Sequence, residues 1–130
     1  MAVPKLESGS EEVCKYVRFR GAMISSALKD SVFKLLSGEI IKVHRVKLTP
    51  EKEAIIEAQI ISDLRALFTS TLDSRELGIF SSSLEVEQRK VIIRPADIEH
   101  KFFVMPIRDG DYALLPMSRI GDDNFDHSTP

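Results

Sequence analysis

Leu48-Thr49-Pro50-Glu51-Lys52-Glu53-Ala54-Ile55-Ile56-Glu57-Ala58-Gln59-Ile60-Ile61-Ser62-Asp63-Leu64-Arg65-Ala66-Leu67-Phe68, running on to Gly78, is the stretch whose reading decides the fold. Thr49 can cap a helix, and Pro50 suits the first turn, where no backbone N–H is needed. Glu51 and Glu53 would lie at the positive end of the dipole, and Gly78 supplies a stop. Ile56, Ile60, Leu64, Leu67 and Phe68 recur at three- and four-residue spacing, while Ile55, Ala58, Ile61 and Ala66 widen the stripe. The spacing predicts one long amphipathic helix over residues 49–75. Its apolar surface is broad enough for two contacts, one with a sheet and one with something else.

Upstream, Glu11 to Val17 reads as a short helix capped by Ser10. Arg18 to Ile24 reads as a first strand, and Val32 to Leu36 as an apolar run broken by Gly38. Ile40 to Leu48 is rich in β-branched residues and reads as extended. Downstream, Ile79 to Glu85, Lys90 to Arg94 and Lys101 to Ile107 read as three strands. Glu87-Gln88-Arg89 is the expected hairpin turn between the first two, and Pro95 to Glu99 links the next. Arg108-Asp109-Gly110-Asp111 is a tight turn, because Asp-Gly accepts a positive φ. Tyr112 to Met117 is a last strand or a short helix. The expected class is α+β: an α/β sandwich with a mainly antiparallel five-stranded sheet, the long helix between strands 2 and 3, and short flanking helices. Residues 11–120 form the expected single domain, with flexible tails at 1–10 and, acidic, at 121–130.

The bulk composition is that of a globular protein: 130 residues, 43% hydrophobic and 29% charged, with a net charge of −2. Cys14 is the only cysteine, which leaves no intramolecular disulfide and fits a reducing cytoplasm. No apolar run approaches the roughly 18 residues of a membrane-spanning helix, and the opening residues lack a signal-peptide core. A cytoplasmic location without a membrane partner is the expectation.

Chemistry-bearing motifs are few. His44, His100 and His127 lie far apart and none has metal-ligand spacing. Asp109, Asp111, Asp122 and Asp123 lack the order of a calcium loop. Ser25, Ser26, Ser81, Ser82 and Ser83 lack a nucleophile elbow, and no glycine-rich phosphate loop occurs. No catalytic residue, metal or cofactor is therefore expected, and Cys14 reads as a small packing residue. Basic residues come closest to a signal. Lys15, Arg18 and Arg20 precede Lys42, His44, Arg45 and Lys47, and a shared face would make one positive surface. Val and Ile interleave them instead of stacking aromatics, so a solvated face with weak or no nucleic-acid binding is expected.

The order strand, strand, long helix and three strands, with flanking helices, resembles the roadblock/dynein-light-chain layout of the profilin-like class. More locally, Val17-Arg18-Phe19-Arg20-Gly21-Ala22-Met23-Ile24, Arg89-Lys90-Val91-Ile92-Ile93, Phe102-Phe103-Val104 and Asp111-Tyr112 with Leu115-Pro116 resemble a small uncharacterised archaeal family. Where that family has a glycine-bearing turn between its first two strands, this chain has Ser26-Ala27-Leu28-Lys29-Asp30. The first resemblance implies a homodimeric scaffold or regulator of small GTPases; the second implies a fold and no reaction. Small and apolar residues beside the main stripe agree with self-association. The expected dimer interface is Ile55, Gln59, Ser62 and Ala66 of the helix with Ile79 and Ser81 of the next strand. The expected function is a non-enzymatic protein-interaction or scaffold module binding itself and an unidentified protein. Its alternative is a small-ligand sensor with a pocket lined by Phe68, Phe102 and Phe103.

Overall fold

Alternation, not helical periodicity, governs the deciding stretch. In the computed structural model, which describes residues 12–117, Ala54–Ile61 is a β-strand. Among the described residues, strands hold 58% and helical turns 9%, and no helix reaches seven residues. The long helix, the flanking helices and the α/β sandwich of the roadblock layout are thus replaced by a mainly β fold. The tails expected at 1–10 and 121–130 lie outside the described residues.

The strands are β1 (Glu12–Cys14), β2 (Tyr16–Phe19), β3 (Ala22–Ser25), β4 (Val32–Leu35), β5 (Ile40–Leu48) and β6 (Ala54–Ile61), followed by β7 (Arg65–Ala66), β8 (Phe80–Ser82), β9 (Val86–Ile93), β10 (Ile98–Arg108) and β11 (Asp111–Pro116). Single 3-10 turns occupy Leu28–Asp30, Ser74–Leu77 and Pro95–Asp97. Eight strands form a curled antiparallel half-barrel in the order β7-β8-β11-β10-β4-β5-β6-β9, with β1 beside the end of β5. β2 and β3 form a separate two-stranded hairpin.

The helix signals serve other ends. Ile56, Ala58 and Ile60 alternate onto one face of β6 and enter one core, whereas Ile61 enters another. A separation of four residues keeps side chains on one face of either a strand or a helix, so Ile56 and Ile60 fit both periods. The β-branched isoleucines favour the strand. Pairing on both edges settles it: Ile56 lies opposite Val46 of β5 and Ile93 of β9. Thr49 and Pro50 begin a tight turn into β6, since a β-turn and a helix share their first αR residue. The Glu53 N–H donates to Thr49 Oγ1 at 3.1 Å, and Lys52 closes the turn with φ 68°. Gly78 does stop a helical turn, but only that of Ser74–Leu77, which Asp73 caps.

Neighbouring residues part to opposite faces of the sheet. Phe33, Ile41 and Ile56 join one core, and Val32, Ile40 and Ile61 the other. The hairpin covers the first face through Ile24, Val17 and Phe19. The curl of the sheet covers the second, bringing Phe80 and Leu114 over Phe102.

Glu87-Gln88-Arg89 is not a hairpin turn but a bulge within β9, where the ladder slips between Gln59 and Ile61. The Gln59 side-chain amide donates to the Glu87 carbonyl at 2.9 Å across this bulge. Residues 54–66 and 80–93 therefore run side by side around a corner, pinned where the Ser62 N–H meets the Glu85 carbonyl at 2.9 Å. Asp63 anchors that corner, accepting from Arg65 Nε at 2.9 Å, Ser83 N at 2.8 Å and Ser83 Oγ at 2.6 Å. Arg65 first, then Ser83, hold the Asp63 carboxyl well below the usual carboxylate range.

At the other end of the chain, the described part of the expected helix over 11–17, from Glu12 on, is β1 and the start of β2. The expected strand over 18–24 is the hairpin itself. Arg20 and Gly21 form its two-residue turn with φ 54° and 81°, as a type I′ turn requires. The glycine-bearing turn is thus present, and Ser26 to Asp30 instead leads into β4. Tyr112 to Met117 resolves as strand β11, after the Asp109-Gly110 turn.

Candidate functional site

The β2–β3 hairpin rests on the sheet without joining its ladder, so side chains fasten it. Ile24, 1% exposed, supplies the apolar anchor. Lys101 supplies the polar one. It sits opposite Phe33 in the β10–β4 ladder, where its stem can cross apolar surface while its ammonium reaches out. That ammonium donates to the Met23 carbonyl at 2.7 Å and to Asp30 at 2.7 Å, and lies 5.8 Å from the Phe33 ring centre. One residue of β10 thereby joins β3, the Leu28–Asp30 turn and β4.

Beside this joint a cavity of about 490 Å³ opens between the hairpin and the sheet. Arg18, Phe19, Arg20 and Met23 line it from the hairpin, Phe33, Ile98 and Lys101 from the sheet, and Leu36, Ala96 and Met117 from the adjoining segments. Two of its other charged residues have partners. Lys101 pairs with Asp30, and Glu99 lies 3.7 Å from Lys34. Arg18 and Arg20 are exposed and, among the described residues, neither has a carboxylate within ion-pair distance. The Arg20 guanidinium instead lies 4.8 Å from the Phe19 ring centre, held against the hairpin's own aromatic.

The basic residues noted in the sequence separate into two groups. Arg18 and Arg20 reach the cavity, whereas Lys42 and His44 do not line it. Lys42 is half-buried on β5 between Val32 and Gln59, and burial pushes its pKa down. Arg45 and Lys47, on the same strand, clamp Glu57 at 3.7 and 2.8 Å. The hydrogen bond from Lys47, the larger influence, holds the Glu57 carboxyl below its ordinary value.

The residues expected at a helical dimer face are spread along strands. Ile55 and Gln59 lie in β6, Ser62 just beyond it, Ala66 in β7, Ile79 before β8 and Ser81 in β8. Ala66, Ile79 and Ser81 come together, with Ser81 buried and its hydroxyl donating to the Ala66 carbonyl at 3.2 Å. Ile55 sits at the far end, opposite Lys47. The aromatic trio expected around a pocket is also dispersed. Phe102 is buried against Phe80 and His100, while Phe68 and Phe103 are exposed. Phe19 and Phe33 take that role. The missed signal was Arg20-Gly21, because a glycine at the second position of a two-residue turn would have split the first strand into a hairpin.

Among the described residues no group of three or more His, Cys, Asp or Glu side chains is placed to hold a metal ion, and no helix is long and apolar enough to cross a membrane. A family model described as a domain of unknown function, DUF8592, matches residues 3–117. The chain belongs to the DUF8592 family. No curated protein and no solved structure matches it. The DUF8592 match spans the hairpin, the Lys101 joint and every residue lining the cavity.

Proposed function

We propose that this DUF8592 domain is a small-ligand-binding module whose ligand occupies the space between the β2–β3 hairpin and the sheet. The observation that carries this reading is the cavity. Its volume of about 490 Å³ falls within the roughly 300–1,000 Å³ of small-molecule sites, which are mostly apolar with a few polar groups. Phe19, Met23, Ile24, Phe33, Ile98 and Met117 supply the apolar lining here. A ligand touching both hairpin and sheet would add to the hold that Lys101 and Ile24 already provide, and so report its presence through the hairpin.

The proposed role is binding without turnover. Arg18 and Arg20 offer forked guanidinium N–H donors and no nucleophile, which suits holding an anion. A nucleic acid is not the proposed partner, since two cations beside a cavity make few phosphate contacts to resist salt. A cytoplasmic setting belongs to the same proposal and rests on the single cysteine. The GTPase-regulating scaffold drew on the roadblock layout and the homodimer on a helix face; neither feature is present, so the proposal stands on the cavity.

A ligand-observed NMR screen of small aromatic fragments tests this reading, followed by amide-shift mapping on the protein. Hits should move Met23, Ile24, Ile98 and Lys101, and should be lost in Ala96→Trp, which plugs an exposed part of the rim. Hits mapping elsewhere, or surviving that substitution, would refute it.

A further inference from the structure

We propose that the ligand carries a doubly charged oxyanion, a phosphate monoester or its chemical equivalent, on a flat apolar body, with Arg18 and Arg20 holding the anion at the cavity mouth. This deepens the ligand-binding reading above and rests on it.

Charge compensation is the first argument. Arg45, Arg65, Arg75, Arg94 and Arg108 each meet a carboxylate within 4.0 Å. Arg18, Arg20 and Arg89 meet none among the described residues, and of these three Arg18 and Arg20 line the cavity. The anion that would complete them is not supplied by the described part of this chain. The second argument is the lining. Within the cavity Lys101 is paired with Asp30 and Glu99 lies 3.7 Å from Lys34, while Phe19, Met23, Leu36 and Met117 offer apolar surface that is not fully buried. A ligand that meets this lining and both arginines is amphipathic, with its charge toward the hairpin tip and its body along these side chains.

The third argument is preorganisation. Arg20 occupies a left-handed backbone conformation, φ 54°, at a position where Asn or Gly would sit without strain. Its guanidinium is held over Phe19, so less freedom is lost when an anion docks. Two forked guanidiniums offer two positive charges and paired N–H donors, which match a dianionic phosphate better than a single carboxylate.

The test uses the full chain and four probes: 1-naphthyl phosphate, 1-naphthoate, 1-naphthol and inorganic phosphate, titrated by calorimetry at two salt concentrations. Naphthyl phosphate should bind tightest, about tenfold or more above naphthol, with the advantage shrinking as salt rises. Arg18→Ala with Arg20→Ala should bring naphthyl phosphate down to the level of naphthol measured on the same variant. Equal binding of naphthol and naphthyl phosphate to the unaltered protein would overturn the anion assignment while the cavity reading survived. Inorganic phosphate binding as tightly as the naphthyl ester would overturn the apolar body. Failure of every naphthyl probe, with fragment hits still mapping to Met23 and Ile98, would overturn this ligand class; failure with no such hits would sink the cavity reading itself.

Discussion

Replacing Lys101 by methionine removes the charge that joins β3, β10 and the Leu28–Asp30 turn while keeping much of the side-chain volume. The Lys101 and Asp30 side chains are only 12% and 11% exposed and meet at 2.7 Å. Removing one partner from a pair this buried costs about 3–5 kcal/mol, because the other charge is left desolvated. The freed Met23 carbonyl adds about 1 kcal/mol, the net worth of an ordinary hydrogen bond. Small domains lose about 4–8 °C of Tm per kcal/mol, so Lys101→Met should lower Tm by at least ~12 °C. In urea the midpoint should fall with an unchanged slope, since the surface exposed on unfolding stays the same. The double variant Asp30→Ala with Lys101→Met removes the buried orphan charge and should be more stable than Lys101→Met alone. A Lys101→Met protein within about 1 kcal/mol of the parent would refute the reasoning, as would a double variant that loses the sum of both single changes. Either result would mean that water screens the pair and that Ile24 and Phe19 alone secure the hairpin.

Ser74 is fully buried, its hydroxyl accepting from Leu67 N at 2.7 Å and donating to the Ile79 carbonyl at 2.9 Å. Ser74→Ala should therefore cost about 1–3 kcal/mol, measured by urea unfolding. Arg20→Asn should stabilise the turn by about 0.5–1 kcal/mol by relieving its positive φ, yet weaken binding of naphthyl phosphate. A variant that gained both stability and affinity would contradict the role given to Arg20. Acid should unfold the protein through Glu57, Asp63, Asp73 and Asp111, whose folded pKa values are all lowered by neighbouring cations. Asp73, for example, falls from 3.8 to about 2 beside Arg75. Groups lowered on folding contribute fully above their unfolded pKa and lose that contribution as pH falls through the folded one. The urea midpoint should stay level from neutral pH to about 5 and then decline, less steeply in Asp63→Asn; a level profile down to about pH 3 would contradict this.

Local chemistry made part of the fold legible. Ile40–Leu48 was readable as extended because β-branched residues crowd a short span, whereas Val32–Leu35 read only as an apolar run and is a strand in the fold. The Asp109-Gly110 turn was readable because few residues accept the φ of 77° found at Gly110. The deciding stretch was not readable in this way. Ile56 and Ile60 satisfy helix and strand alike, and Thr49-Pro50 begins either a helix or a turn. What separates the two outcomes is pairing with β5 and β9, whose residues lie outside the stretch.

The sequence by itself determined a globular chain with local turns at fixed places and no assembled motif for metal or phosphate-loop chemistry. Tertiary structure alone decided that β6 is a strand, because hydrogen bonds to distant partners outweigh a weak local propensity. It alone also made the candidate site. Arg18 and Arg20 come from the hairpin, Phe33 from β4, Lys101 from β10 and Met117 from beyond β11, with no spacing rule linking them. They meet because a two-residue turn folds β2 onto β3 and the Lys101 ammonium, paired with Asp30, fastens that hairpin to the sheet through the Met23 carbonyl.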